Sequence, residues 1–220
     1  MRKSLASCLA VLLTAILLAA CGNVEEKPSD FDLAIEKLAA RTTCHTSEVF
    51  VTIYPGEEVS TAIDRMYADG DALYTWTQGS TAEPSFIVER DGKRFERVYY
   101  AEEWESSDGS TSLPPYHVKF LPEHYIVESI EETADGITVK CQADTSKADV
   151  EFVEATAEFL FDADWNALEY SFFNSYMTEN HDGEEILLSY KNHVTFLTTE
   201  EKDIRQTIED TFAEAKASAE

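Results

Sequence analysis

The residues that could carry catalysis in this chain do not form a recognisable catalytic motif. The sequence has no Gly-x-Ser-x-Gly, no Gly-x-Gly-x-x-Gly, no phosphate-binding loop and no His-Glu-x-x-His. The five histidines lack the spacing of metal ligands; they are His45, His117, His124, His181 and His193. Carboxylates occur throughout, so spacing does not single out an acid–base pair. We predict a protein that is not an enzyme and has no cofactor, with a hydrolase of dispersed acidic residues as the weaker alternative.

One short segment resembles a calcium loop in its first residues. Asp162, Asp164 and Asn166 place oxygen-bearing side chains at positions 1, 3 and 5 of such a loop. Position 6 should be glycine and is Ala167, and position 12 should be glutamate and is Phe173. Side chains of this type also form Asx turns between strands. We therefore predict a turn here, and no metal site.

The chain is strongly acidic, which limits its partners. Of the 17 basic residues, Arg2 and Lys3 lie in the first twenty residues, which contain no acid. Residues 21–220 thus carry 15 basic and 43 acidic residues, a formal charge of −28. Nucleic acids and anionic lipid surfaces repel such a body, because affinity for them comes from lysine and arginine. The charge favours solubility beside a membrane, with capture of cations or basic peptides as the alternative.

The first twenty residues are typical of a secretory signal peptide. A basic start precedes an apolar run over 5–18, and Leu18-Ala19-Ala20 supplies small residues before Cys21. The run is shorter than the roughly 20 residues of a membrane-spanning helix. An uncleaved membrane anchor and a simple Ala-x-Ala cleavage remain alternatives.

Leu18-Ala19-Ala20-Cys21-Gly22 resembles the lipobox of bacterial lipoproteins. The resemblance covers residues 1–22 and implies that the chain is cut before Cys21 and that this thiol carries a diacylglyceryl group. It places the protein on the extracytoplasmic face of a membrane, held there by its lipid. Residues 21–29 would then be the lipidated cysteine and a polar tether, of which the eight residues after Cys21 reach about 25–29 Å.

Two cysteines remain in the part expected to fold. Cys44 follows the first predicted helix, and Cys141 shares a strand face with Ile137 and Val139. An exported domain can keep a disulfide, and a bridge between these two would close a long loop. Two buried free thiols are the alternative.

Amphipathic helices are predicted at both ends of a single domain over 30–220. In the first, Ser29 and Asp32 suit a capping box, and an apolar stripe follows at Phe31, Ala34, Ile35 and Leu38. The second is predicted to begin at Thr198, and its apolar stripe consists of Ile204, Ile208, Phe212 and Ala215.

The residues between the helices alternate with period two. Asp-Gly pairs at 69–70, 91–92, 135–136 and 182–183 mark hairpin turns. The pattern predicts an α+β fold: a curved antiparallel meander of about ten strands, shaped like a half-barrel, with both helices packed on it. Several strands carry bulky residues on both faces, which indicates that both faces are partly covered.

This layout resembles LolA/LolB- and LprG-type lipoprotein carriers, which fold as unclosed β-barrels that hold acyl chains. The resemblance covers about residues 30–197 and matches no motif residue by residue, and the helix after the last strand departs from it. It implies a non-enzymatic binding module for an apolar small molecule or lipid. The alternative is an envelope lipoprotein with a filled core that binds a protein or glycan, and Trp104 could anchor such a partner unless its ring packs on the sheet.

Overall fold

The computed structural model describes residues 28–78, 85–98, 101–107, 122–144 and 151–219, with the backbone alone for 57–64. The predicted signal peptide, Cys21 and most of the predicted tether lie outside these residues. Two α-helices flank the strands: α1 is Asp30–Ala39 and α2 is Glu201–Ala219. A 3₁₀ turn, Pro122–His124, precedes the seventh strand. None of the described helices is long and apolar enough to cross a bilayer.

Helix α1 begins as its sequence predicts. The Ser29 hydroxyl accepts a hydrogen bond from the Asp32 amide at 3.1 Å, and the Asp32 carboxylate accepts one from the Ser29 amide at 2.9 Å. This reciprocal pair satisfies two amides that the helix itself leaves without partners. The helix buries its predicted stripe, including Ile35 at 0% exposure.

Eleven antiparallel strands form one sheet. They are β1 Thr43–Tyr54, β2 Glu57–Asp69, β3 Ala72–Gln78, β4 Ser85–Arg90, β5 Lys93–Val98, β6 Glu105–Ser107, β7 Tyr125–Thr133, β8 Gly136–Ala143, β9 Phe152–Phe161, β10 Ala167–Glu179 and β11 Glu185–Phe196. Their order across the sheet is β6-β5-β4-β3-β2-β1-β11-β10-β9-β8-β7. The predicted curved α+β meander is confirmed, and the sheet is not closed. Sequence patterning missed β6, which has only three residues.

The first and last strands pair at the centre of the sheet. Thr46 lies opposite Phe196, and Thr52 lies opposite Tyr190. From this central pair, β1–β6 meander towards one edge and β11–β7 towards the other. The fold thus consists of two half-sheets, an N-terminal one and a C-terminal one.

The two helices cover opposite faces of the sheet. The front face carries Thr46, Val194 and Phe159, and α1 packs on it over the C-terminal half-sheet. The back face carries His45 and Val88, and α2 packs on it over the N-terminal half-sheet. His45 and Thr46 are successive residues, and successive side chains of a strand point to opposite faces. This arrangement explains the bulky residues seen on both faces of several strands.

Aromatic rings fill the space between α1 and the front face. The Phe31 ring lies 5.5 Å from Phe159 and 6.2 Å from Phe161, in edge-to-face contact with both. Tyr125 makes a similar contact with Phe159 at 5.0 Å. Such pairs stabilise a core beyond the area that they bury.

Helix α2 packs through a narrower stripe than α1. Ile204, Ile208 and Ala215 are buried, and the Phe212 ring lies 5.5 Å from that of Phe95. The predicted start at Thr198 is wrong by three residues. Thr199 does not cap the helix, because its hydroxyl instead pairs with His45 Nδ1 at 2.7 Å.

Candidate functional site

Each described helix covers only half of one face, so part of the front face has no described helix over it. At the end of the strands remote from the α1–β1 connection, four aromatic residues come from four adjacent strands. We name this surface the aromatic face; it consists of Tyr54 of β1, Tyr190 of β11, Tyr176 of β10 and Phe152 of β9. None of the four belongs to the core under α1. In the part of the chain that the structure describes, the surface is therefore a group of rings without a covering helix.

The rings of the aromatic face contact one another. Tyr176 and Tyr190 stack with centroids 6.0 Å apart, and Phe152 meets Tyr176 edge-on at 6.3 Å. A hydrogen bond between the Tyr176 and Tyr190 hydroxyls, with partial burial and nearby Tyr54, raises the pKa of Tyr190 to about 12. Tyr190 is 36% exposed and Tyr54 is 45% exposed. Both present ring surface to solvent, and Tyr190 does so as a neutral phenol at physiological pH.

Acidic residues occupy the hairpin beside the aromatic face. We name Glu179–Glu185 the acidic tip, the turn that joins β10 to β11. Glu179 and Glu185 lie directly opposite each other in the strand register, and Asp182 and Glu184 lie between them. No ion pair joins these four carboxylates to a described lysine or arginine. The tip therefore carries negative charge that no described ion pair compensates. Like charges placed opposite each other on paired strands lower stability.

Asn180 holds the acidic tip in shape. Its side-chain oxygen accepts hydrogen bonds from the amides of Asp182 and Glu184, each at 2.9 Å. Gly183 takes the left-handed conformation, with φ of +77°. The tip is therefore an ordered turn that fixes its carboxylates beside the rings.

The back face of the C-terminal half-sheet carries a shallow, partly open depression of about 260 Å³. Its lining includes Lys140, Glu158, Ser171, Phe173 and Lys191. Its exposed surface is mostly apolar, with charged groups among the lining residues. Because the depression is shallow and partly open, it does not enclose a ligand as the cavities of about 300–1,000 Å³ that hold small molecules do.

A serine and a histidine lie close together beside this depression. Ser171 Oγ is 2.8 Å from His193 Nδ1, and Glu169 Oε2 is 3.8 Å from His193 Nε2. Hydrolysis through a serine also requires donors for an oxyanion. The amides of these paired strands point into the sheet ladder, so they are not aimed at a substrate above the face. The arrangement is a cross-strand hydrogen bond and does not amount to a catalytic triad.

The calcium-like segment forms the turn that the sequence predicts. Asp162 Oδ1 accepts hydrogen bonds from the Asp164 amide at 2.9 Å and the Asn166 amide at 2.8 Å. These contacts lower the pKa of Asp162. Among the described residues, no cluster of histidine, cysteine and acidic side chains is arranged to hold a metal.

Trp104 is not available to a partner, which corrects the interpretation that its ring anchors one. The residue is 3% exposed and packs in a cluster with Val88, Phe95 and Ala215. Its ring lies against the sheet and α2, as the alternative interpretation had it. The aromatic face was missed because its tyrosines sit in strands, where sequence patterning counts them as core.

The two cysteines of the domain are both buried free thiols. Cys44 is on β1 and Cys141 is on β8, four strand positions away. At about 4.8 Å per position, that separation is roughly 19 Å, while bridged cysteines need Cα atoms within about 7 Å. The sequence left a Cys44–Cys141 disulfide and two free thiols as alternatives, and the structure contains the two free thiols.

No protein-family model and no curated protein matches this chain. Among solved structures, the MucA/MucB complex of Pseudomonas aeruginosa is 13% identical over 80% of this chain and 60% of that chain, with a TM-score of 0.37. MucB in complex with MucA(peri) is 15% identical over 76% and 54% of the two chains, with a TM-score of 0.32. A DUF1329 family protein from Desulfovibrio piger ATCC 29098 is 8% identical over 77% and 89%, with a TM-score of 0.29.

This chain thus spans about three fifths of the length of the first of these structures. Identities of 8–15% and TM-scores below 0.4 leave the function to be argued from the residues of this chain.

Proposed function

We propose that this chain is a lipid-anchored lipoprotein of the extracytoplasmic membrane face and binds an envelope partner through the aromatic face. The observation that carries the proposal is the group of four aromatic residues from four adjacent strands, two of them more than one-third exposed, where neither described helix covers the sheet. Contiguous exposed apolar surface of this kind marks interaction sites. Tyrosine suits the role because it offers a large ring with a polar end.

The anchor rests on the sequence around Cys21. A basic start, a short apolar run and a small-residue site end on a cysteine, and α1 begins only nine residues later, at Asp30. A diacylglyceryl group supplies two chains, which hold a protein stably where one chain does not. Metabolic labelling with an alkyne fatty acid tests this: the wild type should be labelled and membrane-bound. A labelled Cys21→Ala variant would refute the anchor.

A bound partner is better supported than an enclosed lipid. The space under α1 is filled by contacting rings of Phe31, Phe159 and Phe161, and the back-face depression is shallow and partly open, so it does not enclose a ligand. The apolar-ligand alternative predicts that purified protein carries acyl compounds. Mass spectrometry of an organic extract of the unlipidated protein separates the two, because a stoichiometric acyl compound would favour the cavity.

Absence of catalytic activity is part of the proposal. The Ser171–His193 contact has no oxyanion donors aimed at it. His45 also contacts a hydroxyl, that of Thr199, but this contact is part-buried between β1 and the start of α2. The protein should therefore leave ester and peptide substrates unchanged. Turnover that is lost in Ser171→Ala would contradict this.

Site-specific photo-cross-linking in cells tests the binding surface. A photoreactive phenylalanine replaces Tyr54, and a matched variant carries it at Leu33, which is 46% exposed on the outer side of α1. We expect one discrete adduct at position 54 and none at position 33. Equal labelling at the two positions, or none at either, would refute the aromatic face as the binding surface.

A further inference from the structure

We propose that the segment bound at the aromatic face is a cationic, amphipathic polypeptide. This inference rests on the proposed function and adds the chemical class of the partner. Apolar side chains of the segment would lie on the rings, and its lysine or arginine side chains would meet the carboxylates at the rim.

The rim of the aromatic face is acidic at the acidic tip. Asp182 and Glu184 lie in the turn between the strands that carry the rings, six residues after Tyr176 and six before Tyr190, respectively. Glu179 and Glu185 are on the strands themselves and alternate to the opposite face of the sheet. Carboxylates around an apolar surface attract positive charge and speed encounter with a cationic partner.

The described lysines and arginines form no ion pair with the acidic tip. The described arginines that form ion pairs lie on the N-terminal half-sheet or on α2: Arg90 pairs with Glu209 at 3.1 Å, and Arg205 with Asp69 at 3.0 Å. Lys191 follows Tyr190 directly, but it belongs to the back face, where it lines the depression. Among the described residues, the ion-paired arginines thus lie on the α2 side, and the carboxylates of the acidic tip have no cationic partner.

Tyrosine rings are themselves suited to bind cations. A guanidinium or ammonium group over an aromatic ring is attracted by the electrons of its face. The molecule already uses this contact internally, since Arg65 lies 5.2 Å above the Trp76 ring and Arg97 lies 5.0 Å above Phe86. Tyr54 and Tyr190 offer the same kind of ring at an exposed position.

Charge distinguishes this partner from other occupants of an aromatic surface. Anionic lipid headgroups and acidic polymers would be repelled by the acidic rim. A neutral segment would use the rings and gain nothing from the carboxylates. A cationic segment with apolar residues is the occupant that uses both features.

Binding of designed peptides tests the inference. All buried side chains among the described residues lie between Phe31 and Ala215, so a chain that starts at Gly22 retains the whole described core. Fluorescein-labelled decapeptides of alternating Leu-Lys, Leu-Ser and Leu-Glu are titrated with this protein. We expect the Leu-Lys peptide to bind at least about tenfold more tightly than Leu-Ser, and less tightly as salt rises from about 50 to 300 mM. Leu-Glu should not bind.

Matched variants test whether peptide binding depends on the rings of the aromatic face. Tyr54→Ser with Tyr190→Ser should weaken Leu-Lys binding about tenfold, since each ring contributes on the order of 1 kcal/mol. The control is Leu33→Ser with Leu197→Ser, two residues of similar exposure (46% and 38%) away from the site. The control should bind within about twofold of the wild type.

A second pair of variants tests whether the acids act locally. Asp182→Asn, Glu184→Gln and Glu185→Gln neutralise the acidic tip, and Glu131→Gln, Glu132→Gln and Asp135→Asn neutralise the β7–β8 hairpin at the opposite end of the strands. Both triple variants change the net charge by the same amount. Only the first should weaken binding, by about fivefold at low salt. Equal weakening in both would show general charge attraction and overturn the inference.

The outcomes separate this inference from the proposed function. If Leu-Ser binds as tightly as Leu-Lys, or if no peptide binds while position 54 still forms its discrete adduct in cells, the cationic partner is refuted and the binding surface stands. If position 54 also gives no adduct, both fail.

Discussion

The indole nitrogen of Trp104 donates a hydrogen bond to the carboxylate of Glu214 at 3.3 Å. The backbone amide of Trp104 also donates to the Ser218 hydroxyl at 3.1 Å, and the Arg97 guanidinium lies 4.9 Å from its ring and 3.6 Å from Glu214. These contacts attach the last turns of α2 to the β5–β6 edge of the sheet. The tryptophan thus fastens the C-terminal helix.

Replacing Trp104 should loosen this end of α2. We expect Trp104→Ala to lower the free energy of unfolding by about 3–5 kcal/mol, because a buried aromatic ring is lost. Trp104→Phe keeps most of the ring and loses the indole donor, so it should cost less than the alanine variant. Urea unfolding followed by circular dichroism measures both, and a cost below about 1 kcal/mol for Trp104→Ala would contradict the role.

The core under α1 depends on the Phe159 ring, which is fully buried and contacts Phe31, Phe161, Tyr125 and Tyr170. Phe159→Ala should cost about 3–5 kcal/mol through lost burial and the cavity left behind. Val153→Ala on the same strand is the control, since Val153 is 63% exposed, and it should change stability by less than about 0.5 kcal/mol. Thermal unfolding of the two variants side by side checks the difference.

Gly136 occupies a position that only glycine fits. Its φ is +140°, and a Cβ built there would lie 2.1 Å from the carbonyl oxygen of Phe161. Gly136→Ala should therefore destabilise the protein by at least about 2 kcal/mol. Gly92→Ala serves as the control, because its φ of +70° adds strain but nothing lies within 4 Å, and it should cost about 1–2 kcal/mol. Similar melting temperatures for the two would contradict the steric argument.

His45 should make stability depend on pH. Burial, with a smaller contribution from Arg65, lowers the pKa of His45. As the pH falls through the usual histidine pKa of about 6.5, the unfolded chain takes up a proton that the folded protein does not yet accept, so stability decreases. The loss ends once the pH is below the lowered pKa of the folded state.

The test compares His45→Asn with His181→Asn, an exposed histidine of the acidic tip. Unfolding free energies measured between about pH 7.5 and 5 should fall less steeply in His45→Asn than in the wild type. His181→Asn should follow the wild type. A His45→Asn curve parallel to the wild type would contradict the assignment.

The two buried thiols should resist modification in the native state. Burial raises the pKa of Cys141 to about 12, which leaves little of the reactive thiolate at neutral pH. Iodoacetamide should therefore label Cys44 and Cys141 slowly in the folded protein and quickly in denaturant without reductant. Intact mass measurement counts the adducts, and a denatured chain that takes none before reduction would show a disulfide.

Local patterns predicted most of the architecture. The capping box at Ser29 and Asp32, the stripe of α1 and the Asp-Gly hairpins all depend on residues close in sequence, and each is present. The start of α2 was misplaced, since the helix begins at Glu201 and not at Thr198. The Thr199 hydroxyl, just before the helix, contacts His45, which is 154 residues away in the chain. A contact between such distant residues leaves no local signature.

The candidate site was harder to predict than the fold. Tyr54, Tyr176 and Tyr190 lie at alternate positions of predicted strands, as core residues do. Their exposure depends on where α1 ends above the sheet, and that follows from the packing of Phe31 and Leu38 against distant strands. Trp104 shows the opposite case, since acidic neighbours made it look exposed while α2 buries it.

The pairing of β1 with β11 has a consequence for how the chain acquires its structure. The strands of each half-sheet are joined mainly by hairpins, which form locally, but the centre joins residues such as Thr46 and Phe196 from opposite ends of the domain. Contacts of such large sequence separation slow folding. In a chain that emerges from its N-terminus, β1 must wait with one side unpaired until β11 has emerged, so a chaperone that shields this strand would act on the chain before the native sheet forms.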